Sequence, residues 1–170
     1  MAQETLKLTN TLMVLNKYGE EIVKKYRNKL EENKPGYSWN SIATGNLYNS
    51  VKSEVIVSGT RISIEITLED YWKTLENGQP AGTIVSIGDL LKWIKAKPVI
   101  PTDRGFGIPT LKQLAFLIQR KIKRDGTEPM NFMKDTLEEL LVKLKIDLEE
   151  AIEKDFTDIM YTTIKASFGS

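Results

Sequence analysis

Between positions 51 and 68 the chain reads VKSEVIVSGTRISIEITL. Apolar and polar residues alternate on both sides of SGTR, the period of two that belongs to strands. If Gly59-Thr60 is a two-residue loop with Gly at positive φ, Val57 stands opposite Ile62 and Val55 opposite Ile64. Val51, Ser53, Val55 and Val57 then share one face with Ile62, Ile64, Ile66 and Leu68, while Arg61, Ser63, Glu65 and Thr67 face the other side. A lone two-stranded hairpin is marginal in water, so its apolar face needs a helix against it. That requirement constrains the rest of the chain.

Helices are available on both sides. In segment 4–32, Leu8, Leu12, Leu15, Ile22, Tyr26 and Leu30 recur at helical spacings, and Asn33, Pro35 and Gly36 end the run. Thr44 is placed to cap a short turn through Leu47 and Val51. Downstream, "SIGDLLKWIKAK" (86–97) reads as an amphipathic helix capped by Ser86. "TLKQLAFLIQRKIKRDG" (110–126) reads as a second, capped by Thr110, with Leu111, Leu114, Ala115, Ile118 and Ile122 inward and Gly126 at its end. The last helix starts near 130 and reaches 156 to 165. Its expected stripe is Met133, Leu137, Leu140, Leu141, Leu144, Leu148, Ile152, Phe156 and Ile159. Loops at 78–86 and 98–109 separate these pieces. The expected fold is α+β: a small antiparallel β-hairpin sheet (46–68) flanked by a long N-terminal helix (1–36) and a long C-terminal helix (130–165), with a two-helix insertion (86–125). We expect one domain over 1–170, with about 55–60% helix against the usual ~30–35%.

Composition removes most catalytic options. Among 170 residues there is no Cys and no His. Disulfides, thiolate chemistry, Ser-His-Asp and Cys-His pairs and the usual zinc sites are therefore excluded. The acidic pairs Glu20-Glu21, Glu31-Glu32, Glu138-Glu139 and Glu149-Glu150 lie on polar helix faces beside lysines, and Glu69-Asp70 ends a strand. None shows carboxylates converging from separate elements, as a glycosidase or metal site requires. No glycine-rich loop with Lys-Ser/Thr is present for phosphate. The expectation is no enzyme, no cofactor and no metal. No apolar run approaches the ~20 residues that span a bilayer. The opening MAQETLKLTN has neither the basic nor the apolar region of a secretory signal.

The net charge of +1 hides a local imbalance. Residues 86–125 carry nine cations against three acids, a net of +6; residues 135–158 carry three cations against nine acids, a net of −6. One reading is a molecule with a basic and an acidic surface suited to head-to-tail packing of copies. The other is that the two helices pair within one molecule or are solvated. Within the basic stretch Gln119 and Arg120 continue the helix about four residues after Ala115, where a helix-turn-helix needs its turn, which argues against that DNA-reading motif. Trp93 is expected in the core. Tyr37 and Trp39 sit in a polar loop, tucked under a helix or offered to a partner. Tyr71 and Trp72 mark the exit from the hairpin.

Three segments, in order, carry a family resemblance. "ATGNLYNSV" (43–51) resembles the TGxLxxS start of the phage minor tail, or head–tail joining, proteins. "DYWKTLENGQPAG" (70–82) resembles the aromatic segment, ending in an acid and Gly, that follows their hairpin. "GTEPMNFMKDTLEEL" (126–140) is similar to the motif that opens their last helix, with Glu128 in place of the usual basic residue and the aromatic displaced to Phe132. The resemblance implies a structural virion protein of a tailed bacteriophage neck. Such a tail-completion or head–tail connector subunit forms a ring through which DNA passes, and is assembled in the host cytoplasm. It implies self-association and neighbouring neck, portal-adaptor or tail-tube proteins as partners, with no membrane and only non-specific proximity to DNA. The residues expected at subunit contacts are Arg61, Ser63, Glu65, Thr67, Tyr71, Trp72, Trp39, Arg120, Lys121, Lys123 and Arg124. The alternative is a small nucleic-acid-binding or regulatory adaptor using the basic helix 110–124.

Overall fold

The structure, a computed structural model, describes residues 8–32, 42–97, 99, 101–103, 105 and 107–168. It is α+β and mostly helical. The elements run α1 (Thr9–Glu31), α2 (Asn46–Ser50), β1 (Lys52–Ser58), β2 (Arg61–Thr67), α3 (Trp72–Asn77), α4 (Ile87–Ala96), α5 (Leu111–Asp125) and α6 (Phe132–Phe168). Two compact units emerge. One comprises Met1–Arg27, Val51–Thr67 and Lys134–Ser170; the other comprises Asn28–Ser50 and Leu68–Met133.

In the first unit the hairpin has the expected register. Val57 pairs with Ile62, Val55 with Ile64 and Ser53 with Ile66, and Ser58 and Arg61 close the ladder. Gly59 takes φ 57° while Thr60 stays at negative φ, the pattern of a type II′ turn with Gly first. Helix α1 covers the apolar face. A Cβ on Gly19 would lie 3.0 Å from Ser53 Oγ and 3.4 Å from Ile64 Cγ2, so the missing side chain is what lets the helix approach the strands. Val57, at the hairpin tip beyond that crossing, remains exposed. The buried strip of α1 is Thr11, Leu15, Tyr18, Ile22, Tyr26 and Leu30, a spacing of threes and fours.

Helix α6 runs antiparallel to α1. Asn10 and Thr11 bond to Asp155, Lys17 and Tyr18 to Asp147, and Lys25 to Glu139, so positions fall along α6 as they rise along α1. The residue before α1 is Leu8, which has no side-chain acceptor to cap the helix. Asp155 supplies one. The Asn10 backbone N–H and Nδ2 donate to its Oδ1, both at 2.9 Å, and the Thr11 N–H donates to Oδ2 at 2.8 Å. These are first-turn donors that a helix cannot satisfy internally, and a carboxylate there also complements the helix dipole. Asp155 is buried, and burial alone would raise its pKa. The hydrogen bonds from Thr11 and Asn10 outweigh that and hold it below the ordinary carboxylate value.

This cap sets the rotation of α6 and corrects part of the expected stripe. Thr136, Leu140, Ala151 and Asp155 are buried, and Leu144, Leu148 and Ile159 are half-buried. Leu141, Ile152 and Phe156, expected inward, are exposed. With Asp155 turned onto α1, Phe156 lies about 100° around the helix and points away.

In the second unit α4 and α5 form a helical pair around Leu90, Ile94 and Ala115, with Leu91, Trp93, Leu114, Ile118 and Ile122 packed against them. Both caps are as expected. Ser86 Oγ accepts from the Asp89 N–H, and Thr110 forms a reciprocal capping box with Gln113. Leu111, expected inward, is exposed because it sits in the first turn of α5, ahead of the strip that meets α4.

Asp155→Ala should lower the unfolding free energy by about 2–3 kcal/mol, since it removes a helix cap and leaves first-turn donors unpaired; denaturant titration measures this. Asp147 is likewise held below its usual pKa, first by its bond from Lys17 and then by that from Tyr18. Both folded values lie under the unfolded ~3.9, so the contribution is complete above that pH and is lost as acid takes pH down through the folded values. Asp155→Asn should therefore flatten the acid limb of the stability curve relative to the wild type.

Candidate functional site

The parts of the three segments that lie in the second unit, 43–50, 70–82 and 126–133, build local structure there. In the first, Thr44 Oγ1 accepts from the Asn46 N–H at 3.4 Å and the Gly45 carbonyl accepts from the Asn49 N–H at 2.9 Å, which starts α2. Ser50 ends it. Its hydroxyl donates to the Leu47 carbonyl at 2.9 Å and accepts from the Glu69 N–H at 3.0 Å, tying the turn to the residues that follow the hairpin. A cavity of about 200 Å³ lies beside this turn, lined by Leu30, Thr44, Leu47, Tyr48, Glu69 and Tyr71, among others. Tyr71 keeps half its surface in solvent, and burial of the rest pushes its phenol pKa up.

The second and third segments interlock. Gln79 and Thr127 form a two-way antiparallel bridge, with N–H···O distances of 3.1 and 2.8 Å. The Met130 N–H donates to the Leu75 carbonyl at 2.9 Å, and the Gly82 N–H to the Lys123 carbonyl at 2.7 Å. On either side of the bridge sit Gly78, φ 65°, and Gly126, φ 75°. A Cβ on Gly78 would fall 2.2 Å from the Thr127 carbonyl oxygen, and one on Gly126 would fall 2.3 Å from that of Gln79. Neither position admits a side chain. Glu76, the acid of "LENG", is buried, and its Oε2 accepts from the Met133 N–H at 2.9 Å, in the first turn of α6. Phe132 beside it is fully buried. The acid, the glycine and the displaced aromatic thus form a structural joint, with Glu76 as the cap.

The residues expected at subunit contacts fall on separate elements. On β2, Arg61, Glu65 and Thr67 are exposed and Ser63 is half-buried. They share the outer face with Lys52, Glu54, Ile56 and Ser58. Glu54 and Glu65 are direct cross-strand partners there, a repulsive pairing. Among the described residues the sheet has two strands, so each keeps an open edge. Trp72 is half-buried, with Lys73 Nζ 5.9 Å from its ring. Arg120, Lys121, Lys123 and Arg124 are all exposed on α5. Arg124 forks onto the adjacent Asp125 at 2.7 and 2.8 Å, which lowers that carboxyl's pKa, while Arg120 and Lys123 make no ion pair among the described residues. Trp39, with Tyr37, lies outside the described residues.

The acidic segment is not one open face. Asp155 is buried and Asp147 bonds to Lys17 and Tyr18. Glu139 meets Lys25, and Glu138, Glu149 and Glu150 meet Lys134, Lys145 and Lys154 on α6 itself. A feature unrecognised in the sequence takes its place. Ile152, Phe156, Met160, Ile164 and Phe168 follow at intervals of four along α6, with 49, 64, 46, 50 and 85% of their surface exposed. The signal was present: Leu140, Leu141 and Val142 are consecutive, so α6 carries apolar residues on more faces than one neighbour covers. On α5, Phe116 and Leu117 are each about half exposed, among the cations.

Compared with known protein families, curated proteins and solved structures, the chain matches none of them. Among the described residues no helix is long and apolar enough to cross a membrane, and no group of three or more acids is arranged to hold a metal ion.

Gly78→Ala and Gly126→Ala should each cost more than about 2 kcal/mol, since a left-handed alanine already costs ~1–2 and a backbone clash adds to it. Glu76→Ala should lose about 1–2 kcal/mol with its cap. Thermal unfolding compared with an exposed control such as Lys112→Ala measures all three.

Proposed function

We propose that this chain is a structural subunit of a tailed-phage neck, a ring-forming tail-completion or head–tail connector protein. The observation that carries this reading is the exposed apolar row Ile152–Phe168 on α6, a surface whose burial needs a partner. Three further features support it. Two of the motifs that resemble the neck family, at 70–82 and 126–140, interlock into one structural joint. Among the described residues the hairpin keeps two open strand edges, which suit pairing between chains. The chain also lacks His and Cys, so side-chain chemistry rests on acids, amines and hydroxyls.

The exposed cations of α5, interleaved with Phe116, favour a second reading as a nucleic-acid adaptor. The two readings differ in what the isolated chain does. A neck subunit shows little retention on DNA at moderate salt, while an adaptor binds with steep salt dependence through several phosphate contacts.

Inactivating the gene in the phage or prophage that encodes this chain should yield filled heads and separate tails, seen by negative-stain microscopy, and complementation should restore joined particles. Normal particles from the inactivated genome would overturn the neck reading.

A further inference from the structure

We propose that the outer face of α5 packs antiparallel along residues 149–164 of α6 in a second copy of the chain. This contact rests on the assembly reading above and names the surfaces that would carry it. On α5 the side opposite the α4 contact carries Phe116, Arg120 and Lys123 in one row and Leu117, Lys121 and Arg124 in the next. Along the chain that face is apolar first and basic second. On α6 the exposed face carries Glu149 and Glu153, then Phe156, Met160 and Ile164, so it is acidic first and apolar second.

Only the antiparallel orientation matches both halves. It sets Phe116 against Met160, Arg120 against Phe156, and Lys123 and Arg124 beside Glu153 and Glu149. A parallel pairing would place cations on the apolar row and Phe116 on the acids. Arginine over an aromatic ring is itself favourable, and antiparallel helices align opposite dipole ends. The Lys145–Glu149 pair, at 3.9 Å, is exposed on both sides and worth little, so Glu149 can exchange partners without much loss.

The two faces are different surfaces of the same chain, so the contact is heterologous and repeats from copy to copy. It closes into a ring where the rotation permits. One 15-residue helix is about 22 Å long and its face is smaller than a standard interface of ~1,200–2,000 Å². Single contacts are therefore weak, and repetition around a closed assembly strengthens them.

Because the chain has no Cys, cross-linking can be read without background. Mixing the Phe116→Cys and Met160→Cys chains under mild oxidation should give a heterodisulfide dimer. The mixture of Phe116→Cys with Ile152→Cys should give roughly tenfold less, since its register belongs to the excluded orientation. Adding Arg120→Glu and Lys123→Glu to the first chain should suppress the product by roughly tenfold, and adding Glu149→Lys and Glu153→Lys to the second should restore it. That rescue also shows the reversed chains to be folded. Equal yields from the two mixtures, no product from either, or a yield indifferent to charge reversal would each overturn the contact. Joined or unjoined particles from the inactivated genome judge the neck reading separately, so the two can fail independently.

Discussion

A buried carboxylate at the start of a helix organises the first unit. Helix α1 begins after a leucine, with no acceptor of its own for its first-turn donors, and Asp155 of α6 provides it. Because the bonds are short and involve both oxygens, they fix where α6 lies along α1 and how it is rotated. Asp147 and Glu139 then meet Lys17, Tyr18 and Lys25 farther along. The antiparallel pair, the cover over the hairpin at Gly19 and the outward turn of Ile152 and Phe156 are consistent with that one placement.

The second unit repeats the device with different residues. Glu76 lies buried at the end of α3 and caps α6, whose preceding Asn131 adopts a positive φ of 51°. In both units a long helix takes its cap from a residue far away in sequence. The cost of burying a charge is offset by backbone N–H groups that would otherwise be unsatisfied. Helices α4 and α5, short and locally closed, carry their caps next to themselves in Ser86 and Thr110.

That contrast explains how much the sequence disclosed. Local signals were readable: the period of two in the hairpin, the Gly59-Thr60 loop, the neighbouring caps, the ends of α5. Asp155 and Glu76 were not, because a carboxylate that caps a distant helix has the same local surroundings as one on a solvated face. The α6 stripe erred at Leu141, Ile152 and Phe156 for the same reason. Its apolar residues fit several faces, and the choice among them was made by Asp155, a polar residue that no apolar pattern weighs. Of the candidate contact residues, Arg61, Glu65 and Thr67 on β2 and the α5 cations were legible as exposed. Ile152 and Phe156 were hidden inside a stripe assigned to the core, and Met160, Ile164 and Phe168 continue their row beyond its end.

The crossing of Gly78 and Gly126 has a consequence for how such a chain can change over time. Surface loops, helix faces and much of the core tolerate replacement as long as volume and pattern survive. At these two positions the opposing main chain occupies the space where any side chain would begin, so neither can drift alone and no compensating exchange at the other relieves it. Two glycines 48 positions apart, one closing an acidic turn and one opening the run into a long helix, would thus remain as landmarks after the rest of the sequence had diverged.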